Sequence, residues 1–140
     1  MKLRILMMAA VAAMAATSCN SEKAAPDVTG EWYVTAYNPA HYSSYTLADT
    51  DAEYRFVFDT DSSFYCATDC NSLGGQYIIN ADSMRFDNLL STEMACESEL
   101  FEISMKMLLP GVRTFKMSAD SVLSLKGDGG HTLLKLAKKH

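Results

Sequence analysis

With 140 residues, of which 49% are hydrophobic and 21% charged, the chain is long enough for one domain with a single core. This composition excludes an intrinsically disordered chain. The formal net charge of −5 argues against a nucleic-acid partner, because phosphates attract basic protein surfaces.

The amino terminus has the parts of a secretory signal peptide. Lys2 and Arg4 form a basic start, residues 5–16 are all apolar, and small residues follow. The apolar run is shorter than the roughly 20 residues that cross a bilayer as a helix. A cleaved signal peptide at residues 1–18 is therefore favoured over a transmembrane anchor, and its removal leaves 10 basic and 17 acidic residues, a net charge of −7.

The residues Ala16-Thr17-Ser18-Cys19 resemble the lipobox of bacterial lipoproteins, with Ala16 in place of the usual leucine. The resemblance implies that Cys19 begins the mature protein and carries acyl chains such as palmitate, which anchor it at about 0.8 kcal/mol per buried CH₂. Ordinary signal cleavage with a free Cys19 is the alternative. Residues 19–28 are then the lipidated cysteine and a polar tether. The expected location is the outer membrane of a Gram-negative envelope, on either face.

Alternation of apolar and polar residues predicts eight short β-strands in the mature chain. They are Gly30–Tyr37, Glu53–Phe58, Ser63–Ala67, Gln76–Asn80, Met84–Leu89, Val112–Met117, Ser121–Leu125 and Thr132–Leu136. Trp32, in the first strand, is expected to pack in the core rather than to stack on a ligand. Residues 38–52 are predicted to form a loop, where His41, Tyr42 and Tyr45 are expected to be solvated rather than to line a binding surface.

One helix is predicted at Glu97–Leu109, where the apolar period changes to nearly four. Its apolar residues form two adjoining stripes, one with Leu100, Ile103 and Met107 and the other with Phe101 and Leu108. Glutamates at its start and Lys106 near its end suit the helix dipole, and Pro110-Gly111 ends it. The methionine-bearing stripe is expected to pack on the sheet rather than to hold a ligand.

These elements predict a single antiparallel α+β domain. It is a small antiparallel β-sheet or a partly closed β-barrel of about eight short strands, with one helix packed against it. Closure would remove exposed strand edges. The sequence has no Gly-x-Ser-x-Gly motif and no phosphate-binding glycine loop, so it predicts no catalytic residues.

Several motifs, taken in order, resemble the META domain family, which includes bacterial heat-shock lipoproteins. They are Gly30-Glu31-Trp32, Phe56-Val57-Phe58-Asp59, Cys70-Asn71 with Gly75-Gln76-Tyr77, Thr92-Glu93-Met94-Ala95-Cys96, and a helix with an acidic residue, Glu102 or Glu99. The resemblance spans residues 29–137. Its main motif residues are Trp32, Asn71, Gly75, Tyr77, Thr92 and Met94. Asp69 and Cys66 depart from the pattern, since the family has glycine before Cys70 and usually has glycine at the place of Cys66.

Three cysteines follow Cys19, which in an oxidising compartment favours one disulfide and one free thiol. If residues 66–70 continue as a strand, a rise of about 3.3 Å per residue separates Cys66 from Cys70 by about 13 Å. The Cα atoms of a disulfide lie within about 7 Å. We therefore expect the pair Cys70 and Cys96, which would stabilise the fold by about 3–4 kcal/mol, and a free Cys66 that acts as a small buried hydrophobe.

Zinc binding by the three cysteines and a histidine is the alternative use of these residues. The sequence has no second closely spaced pair of ligands, and His41, His131 and His140 lie in unrelated places. No metal and no other cofactor is therefore expected.

The sequence predicts a lipid-anchored envelope protein without enzymatic activity that binds an envelope partner protein or an apolar ligand. The META resemblance implies roles in envelope maintenance and in stress or drug tolerance, and a domain similar to a lipid-binding fold. The alternative is a thiol-dependent redox protein that uses Cys66 with the Cys70/Cys96 pair. A purely structural envelope-stress factor with no ligand is a third possibility.

Overall fold

The computed structural model of the protein describes residues 25–39, 46–119 and 121–138. The predicted signal peptide, Cys19 and most of the tether lie outside these residues, as do His41, Tyr42 and Tyr45. The described chain forms nine strands and one α-helix. The elements are β1 (Gly30–Tyr37), β2 (Ala48–Asp49), β3 (Arg55–Phe58), β4 (Ser63–Ala67), β5 (Ser72–Asn80), β6 (Ser83–Ser91), α1 (Leu100–Leu108), β7 (Thr114–Ser118), β8 (Val122–Lys126) and β9 (Thr132–Lys138).

All nine strands belong to one antiparallel sheet with the order β2-β1-β3-β4-β5-β6-β7-β8-β9. Strand β1 also pairs with β9, for example at Val34 and Leu136. The paired strands therefore form a partly closed ring. The weakest junction lies between β6 and β7, which pair only at Ser83 and Thr114. The predicted antiparallel α+β class with one helix is confirmed, and the ninth strand, β2, is a two-residue addition within the predicted loop.

Alternate residues along the strands form the core, as the two-residue period of a strand requires. Trp32 and Val34 of β1 are buried, and so are Phe56 and Phe58 of β3. The ring of Phe56 stacks on that of Phe64 with centroids 5.5 Å apart. This aromatic core fixes the register of the strands, because a slip by one residue would turn these side chains to solvent.

Helix α1 packs on the core through one side. Phe101, Met105 and Leu108 on that side are buried. The ring of Phe101 stacks on Tyr54 with centroids 3.6 Å apart and meets Tyr37 edge-on at 5.0 Å. Aromatic pairs of this kind add about 0.5–1.5 kcal/mol to the effect of burial, so Phe101 is the main anchor of the helix.

The other apolar stripe of α1 faces solvent. Leu100, Ile103 and Met107 are 58%, 41% and 61% exposed. The expectation that the methionine-bearing stripe packs on the sheet is therefore wrong. A short helix can present only one side to the sheet, and the side that carries the Phe101 ring buries more apolar surface.

The largest differences between the observed and the predicted elements lie at two boundaries. The helix begins at Leu100 rather than at Glu97, and residues 92–99 are exposed and not helical. Strand β5 begins at Ser72 rather than at Gln76, so part of the predicted polar turn is strand. Within the described residues, no helix combines the length and the apolar content needed to cross a bilayer.

Candidate functional site

A buried carboxylate lies where α1 meets the turn between β4 and β5. Glu102 is 1% exposed and its neighbour Asn71 is 5% exposed. Asn71 donates its backbone N–H to Glu102 Oε1 at 3.0 Å and its Nδ2 to Oε2 at 3.3 Å. Lys106 Nζ, one turn along the helix, donates to the same Oε2 at 3.3 Å. Because an unpartnered buried carboxylate costs several kcal/mol, these three donors allow the burial of Glu102.

Asn71 also fixes the segment that precedes α1. Its Oδ1 accepts hydrogen bonds from Thr92 Oγ1 at 2.9 Å and from the backbone N–H of Met94 at 2.7 Å. Its Nδ2 donates to the carbonyl oxygen of Met94 at 3.2 Å. Thr92 Oγ1 in turn accepts the backbone N–H of Ser72 at 3.2 Å. The structure thus brings together three predicted motif residues, Asn71, Thr92 and Met94, and Met94 takes part through its backbone.

The disulfide between Cys70 and Cys96 lies beside these contacts. Its Cα atoms are 5.7 Å apart and its cysteines are separated by 26 positions in the chain. Asn71 Nδ2 lies 3.5 Å from Cys70 Sγ. A cross-link of this loop length stabilises a fold by about 3–4 kcal/mol in the chain-entropy model, and here it holds the segment that Asn71 also holds.

Asp69 completes the site by capping α1. The helix begins after Glu99, whose side chain makes no capping hydrogen bond. Asp69 Oδ2 instead accepts the backbone N–H of Phe101 at 3.2 Å, and its Oδ1 accepts that of Glu102 at 3.1 Å. A carboxylate is the group that a helix amino terminus favours. The aspartate that departs from the family pattern therefore has a specific structural role, which periodicity along the chain does not reveal.

We refer to Asp69, Asn71, Thr92, Glu102 and Lys106 as the polar cluster. The resemblance implies an acidic residue in the helix, either Glu102 or Glu99. The polar cluster contains Glu102, whereas Glu99 is exposed. The cluster can position chain segments, since its hydrogen-bonding groups are directed at one another and at the backbone. It joins β4, β5 and the 92–99 segment to the amino terminus of α1.

The other motif residues lie elsewhere and support the sheet. Trp32 is fully buried and its Nε1 donates to the carbonyl oxygen of Val28 at 2.8 Å. The hydroxyl of Tyr77 donates to the carbonyl oxygen of Asp59 at 2.6 Å, and burial raises the pKa of this hydroxyl. Trp32 packs in the core, as the sequence predicts.

Gly75 lies at a bulge between β5 and β6. A Cβ atom at this position would lie 2.7 Å from the carbonyl oxygen of Asp87 and 2.9 Å from that of Asn88. Both neighbours are backbone atoms and cannot move aside, so only glycine fits. This close approach accounts for the glycine of the motif.

Cys66 is a buried free thiol on β4. Burial raises its pKa to about 12. The thiolate is the form that attacks a disulfide, so the folded protein holds Cys66 in its unreactive form at neutral pH. This environment fits the expected small buried hydrophobe and disfavours the redox alternative.

One group in the described residues places three potential metal ligands near one another. Cys70, Glu99 and Glu102 each offer an atom within 4.8 Å of the others. The Cys70 sulfur is bonded to Cys96 and cannot coordinate as a thiolate. Glu102 already accepts hydrogen bonds from Asn71 and Lys106, so this group has the features of a structural cluster rather than of a metal centre.

The exposed apolar surface of α1 is a second feature of this region. We call Leu100, Ile103 and Met107 the helix face. They are spaced i, i+3, i+7 and lie on one side of the helix. Met94, which precedes the helix, is 60% exposed, so apolar side chains reach solvent from both the helix and the segment that the polar cluster holds.

A groove of 540 Å³ lies where the described chain begins. Its lining is mainly apolar and includes Ala25, Pro26, Phe115 and Met117, together with the charged Asp82 and Lys116. We call it the amino-terminal groove. Ala25 and Pro26 of this lining belong to the predicted tether.

The model of the META domain family matches residues 26–140. The chain belongs to the META domain family. The match extends beyond the predicted limits of the domain, residues 29–137, at both ends. It includes the polar cluster, the disulfide and the helix face, so these features are parts of the META domain itself.

Two solved structures are similar to this META domain in fold. An NMR structure of a protein from Burkholderia xenovorans is 22% identical, with a TM-score of 0.57, over 86% of this chain and 96% of that one. A crystal structure of a DUF4847 family protein from Bacteroides vulgatus is 12% identical, with a TM-score of 0.56, over 79% of this chain and 93% of that one. No curated protein matches the sequence.

Proposed function

We propose that this META domain protein is a lipid-anchored lipoprotein of the cell envelope that binds a partner protein and catalyses no reaction. The observation that carries the proposal is the exposed helix face. Apolar residues at i, i+3 and i+7 are the anchors by which a helix docks in a groove of another protein. The role of the binding is in envelope maintenance or in stress and drug tolerance, as for the family that the motifs resemble.

The contacts that hold α1 in place support this proposal. The polar cluster and the disulfide hold α1 and the segment before it in place before any partner arrives. A preorganised surface loses little conformational entropy on binding. The helix face is therefore suited to recognition, although it contributes little to the core.

Site-specific photo-crosslinking in living cells tests the binding. A photoreactive amino acid at Ile103 should give a crosslinked adduct, and the same residue at Ile78 should not. Ile78 is the matched control, because it is 45% exposed against 41% for Ile103 and lies on β5. Equal adducts at both positions, or none at Ile103, would contradict the proposal.

The lipid anchor is tested by the Cys19→Ala variant. The wild-type protein should incorporate labelled palmitate and sediment with membranes, and the variant should do neither. A variant that remains in the membrane fraction would show that another segment anchors the chain.

A second candidate is the binding of an apolar ligand in the amino-terminal groove, favoured by its size and apolar lining. Native mass spectrometry of the purified protein should then detect a lipid-sized adduct that is lost in Met117→Lys. The control is Val122→Lys, since Val122 is exposed and does not line the groove. A protein free of adducts would leave the helix face as the candidate surface.

A further inference from the structure

The helix face is symmetric about its centre. Leu100 and Met107 lie at its two ends, three and four positions from Ile103, and seven residues make almost two complete helical turns. The three side chains therefore form a narrow seam along α1. This a-d-a spacing is the one by which a helix packs against another helix in a coiled coil.

The charged residues beside the seam are arranged about the same centre, with an acidic residue at one end and a basic residue at the other. Glu99, which directly precedes α1, and Lys106 lie at opposite ends of the seam, and both lie close to Glu102, so they share one flank of the helix. The carboxylates of Glu99 and Glu102 lie within 4.8 Å of each other. The one cation on this flank of α1, Lys106, donates to Glu102 and keeps 45% of its side chain exposed.

We propose that the helix face of one copy packs antiparallel against the helix face of a second copy of this protein. In this arrangement Ile103 meets Ile103 on the two-fold axis, and Leu100 of each copy meets Met107 of the other. Each Lys106 then reaches the Glu99 of the other copy. The interface is isologous, as in most homodimers.

The charges decide between this arrangement and two others. In a parallel pair, the flank with Glu99 and Lys106 would face the opposite flank of the other helix, where position 104 is a serine, so no opposite charges would meet. A membrane surface of anionic lipid would meet the exposed Glu97 and Glu99 at the start of the helix, which is repulsive. Antiparallel self-association brings together opposite charges at both ends of the seam.

The size of the seam predicts a weak pair. Stable dimers bury about 1,200–2,000 Å² in total, and a nine-residue helix provides only part of such an area. This inference therefore rests on the proposed lipid anchor and helix-face binding. Two copies anchored in one membrane have a much higher effective concentration than two copies in solution.

Thiol crosslinking of the full-length protein in its membrane tests the inference. The Ile103→Cys variant, treated with a short bismaleimide, should give a crosslinked dimer at least several-fold more than Ile78→Cys at the same expression level. The wild-type chain is a second control, because it measures any crosslinking through the native cysteines, of which Cys66 is buried. Equal crosslinking of the two variants would overturn the inference.

A charge reversal provides an independent test. Adding Glu99→Lys to the Ile103→Cys variant places the new lysine beside Lys106 of the other copy, and should lower the dimer yield several-fold. Asp51→Lys, which makes the same charge change at an exposed site outside α1, should leave the yield unchanged. An unaffected yield with Glu99→Lys would overturn the antiparallel arrangement.

These outcomes separate the inference from the proposed function. If photo-crosslinking from Ile103 gives an adduct with a different protein and Ile103→Cys gives no dimer, the proposed function stands and the second copy is the wrong partner. If neither experiment gives an adduct at Ile103, both are wrong. An adduct of twice the mass of the chain, together with the Ile103→Cys dimer, supports both.

Discussion

The two sides of α1 carry similar numbers of apolar residues in opposite environments. On the inner side, Phe101 and Met105 are buried and Glu102 is held by the polar cluster. On the outer side, Ile103 and Met107 are in solvent. The inner side is buried because Phe101 packs on the core and because Asp69 and Asn71 hold the amino terminus of the helix. The number of apolar residues alone does not decide which side is buried. Stability is then concentrated on one side, and the other side is available for recognition.

The largest loss on the inner side is expected from Asn71→Asp. The change removes the Nδ2 donor to Glu102 and to Met94 and places a second carboxylate beside a buried one. Breaking a buried charged network of this kind costs about 3–5 kcal/mol, which urea unfolding would measure. Asn80→Asp is the control, because Asn80 is exposed at the end of β5, and its effect should be within about 0.5 kcal/mol. Similar losses in both variants would show that the polar cluster does not anchor α1.

Loss of the disulfide should have the next largest effect. The double variant Cys70→Ala and Cys96→Ala releases the loop without leaving a free thiol, and we expect the free energy of unfolding to fall by about 3–4 kcal/mol. Residues 92–99 should then exchange their backbone amides faster than in the wild type. Unchanged protection in this segment would show that the hydrogen bonds from Asn71 hold it without the disulfide.

Asp69→Gly introduces the glycine that the motif resemblance implies at this position and removes the cap of α1. The loss should be about 0.5–2 kcal/mol, since the backbone N–H groups of Phe101 and Glu102 lose their acceptor. Asp69→Asn keeps one acceptor oxygen and should lose less. If Asp69→Gly is as stable as the wild type, the helix has another cap and the asymmetry of α1 has a different origin.

Ionisation of the Cys66 thiol is expected to have a smaller, pH-dependent effect on the free energy of unfolding. Burial raises the pKa of its thiol from 9.0 to about 12, so its contribution to stability is complete below about pH 9 and is lost as the pH rises to about 12. Between pH 8 and pH 10 the wild type should lose about 1 kcal/mol more than Cys66→Ala. The tyrosines and lysines titrate in both proteins and cancel in this difference. A zero difference would mean that the thiol is accessible to water.

The sequence predicts the strands well because a half-buried strand has a simple two-residue period, and Trp32 and Phe56 obey it. The choice between the two apolar stripes of α1 could not be predicted from this pattern. It depends on the packing of Phe101 against Tyr54. It also depends on Asp69 and Asn71, which lie about 30 positions before the helix and form hydrogen bonds with its amino terminus. The pairing of Cys70 with Cys96 could be predicted from the sequence, because the prediction needs only the spacing of the cysteines and the motif around each one.

The smallest effect on stability is expected on the outer side of α1, from Ile103→Glu. The side chain already contacts solvent, so the free energy of unfolding should change by less than about 0.5 kcal/mol. Binding through the helix face should nevertheless be lost, because the new carboxylate would be buried without a partner at the centre of the interface. Ile78→Glu, at a similarly exposed position on the sheet, should change neither property. A large loss of stability in Ile103→Glu alone would mean that the outer side also supports the fold, and the separation of stability from recognition along α1 would be wrong.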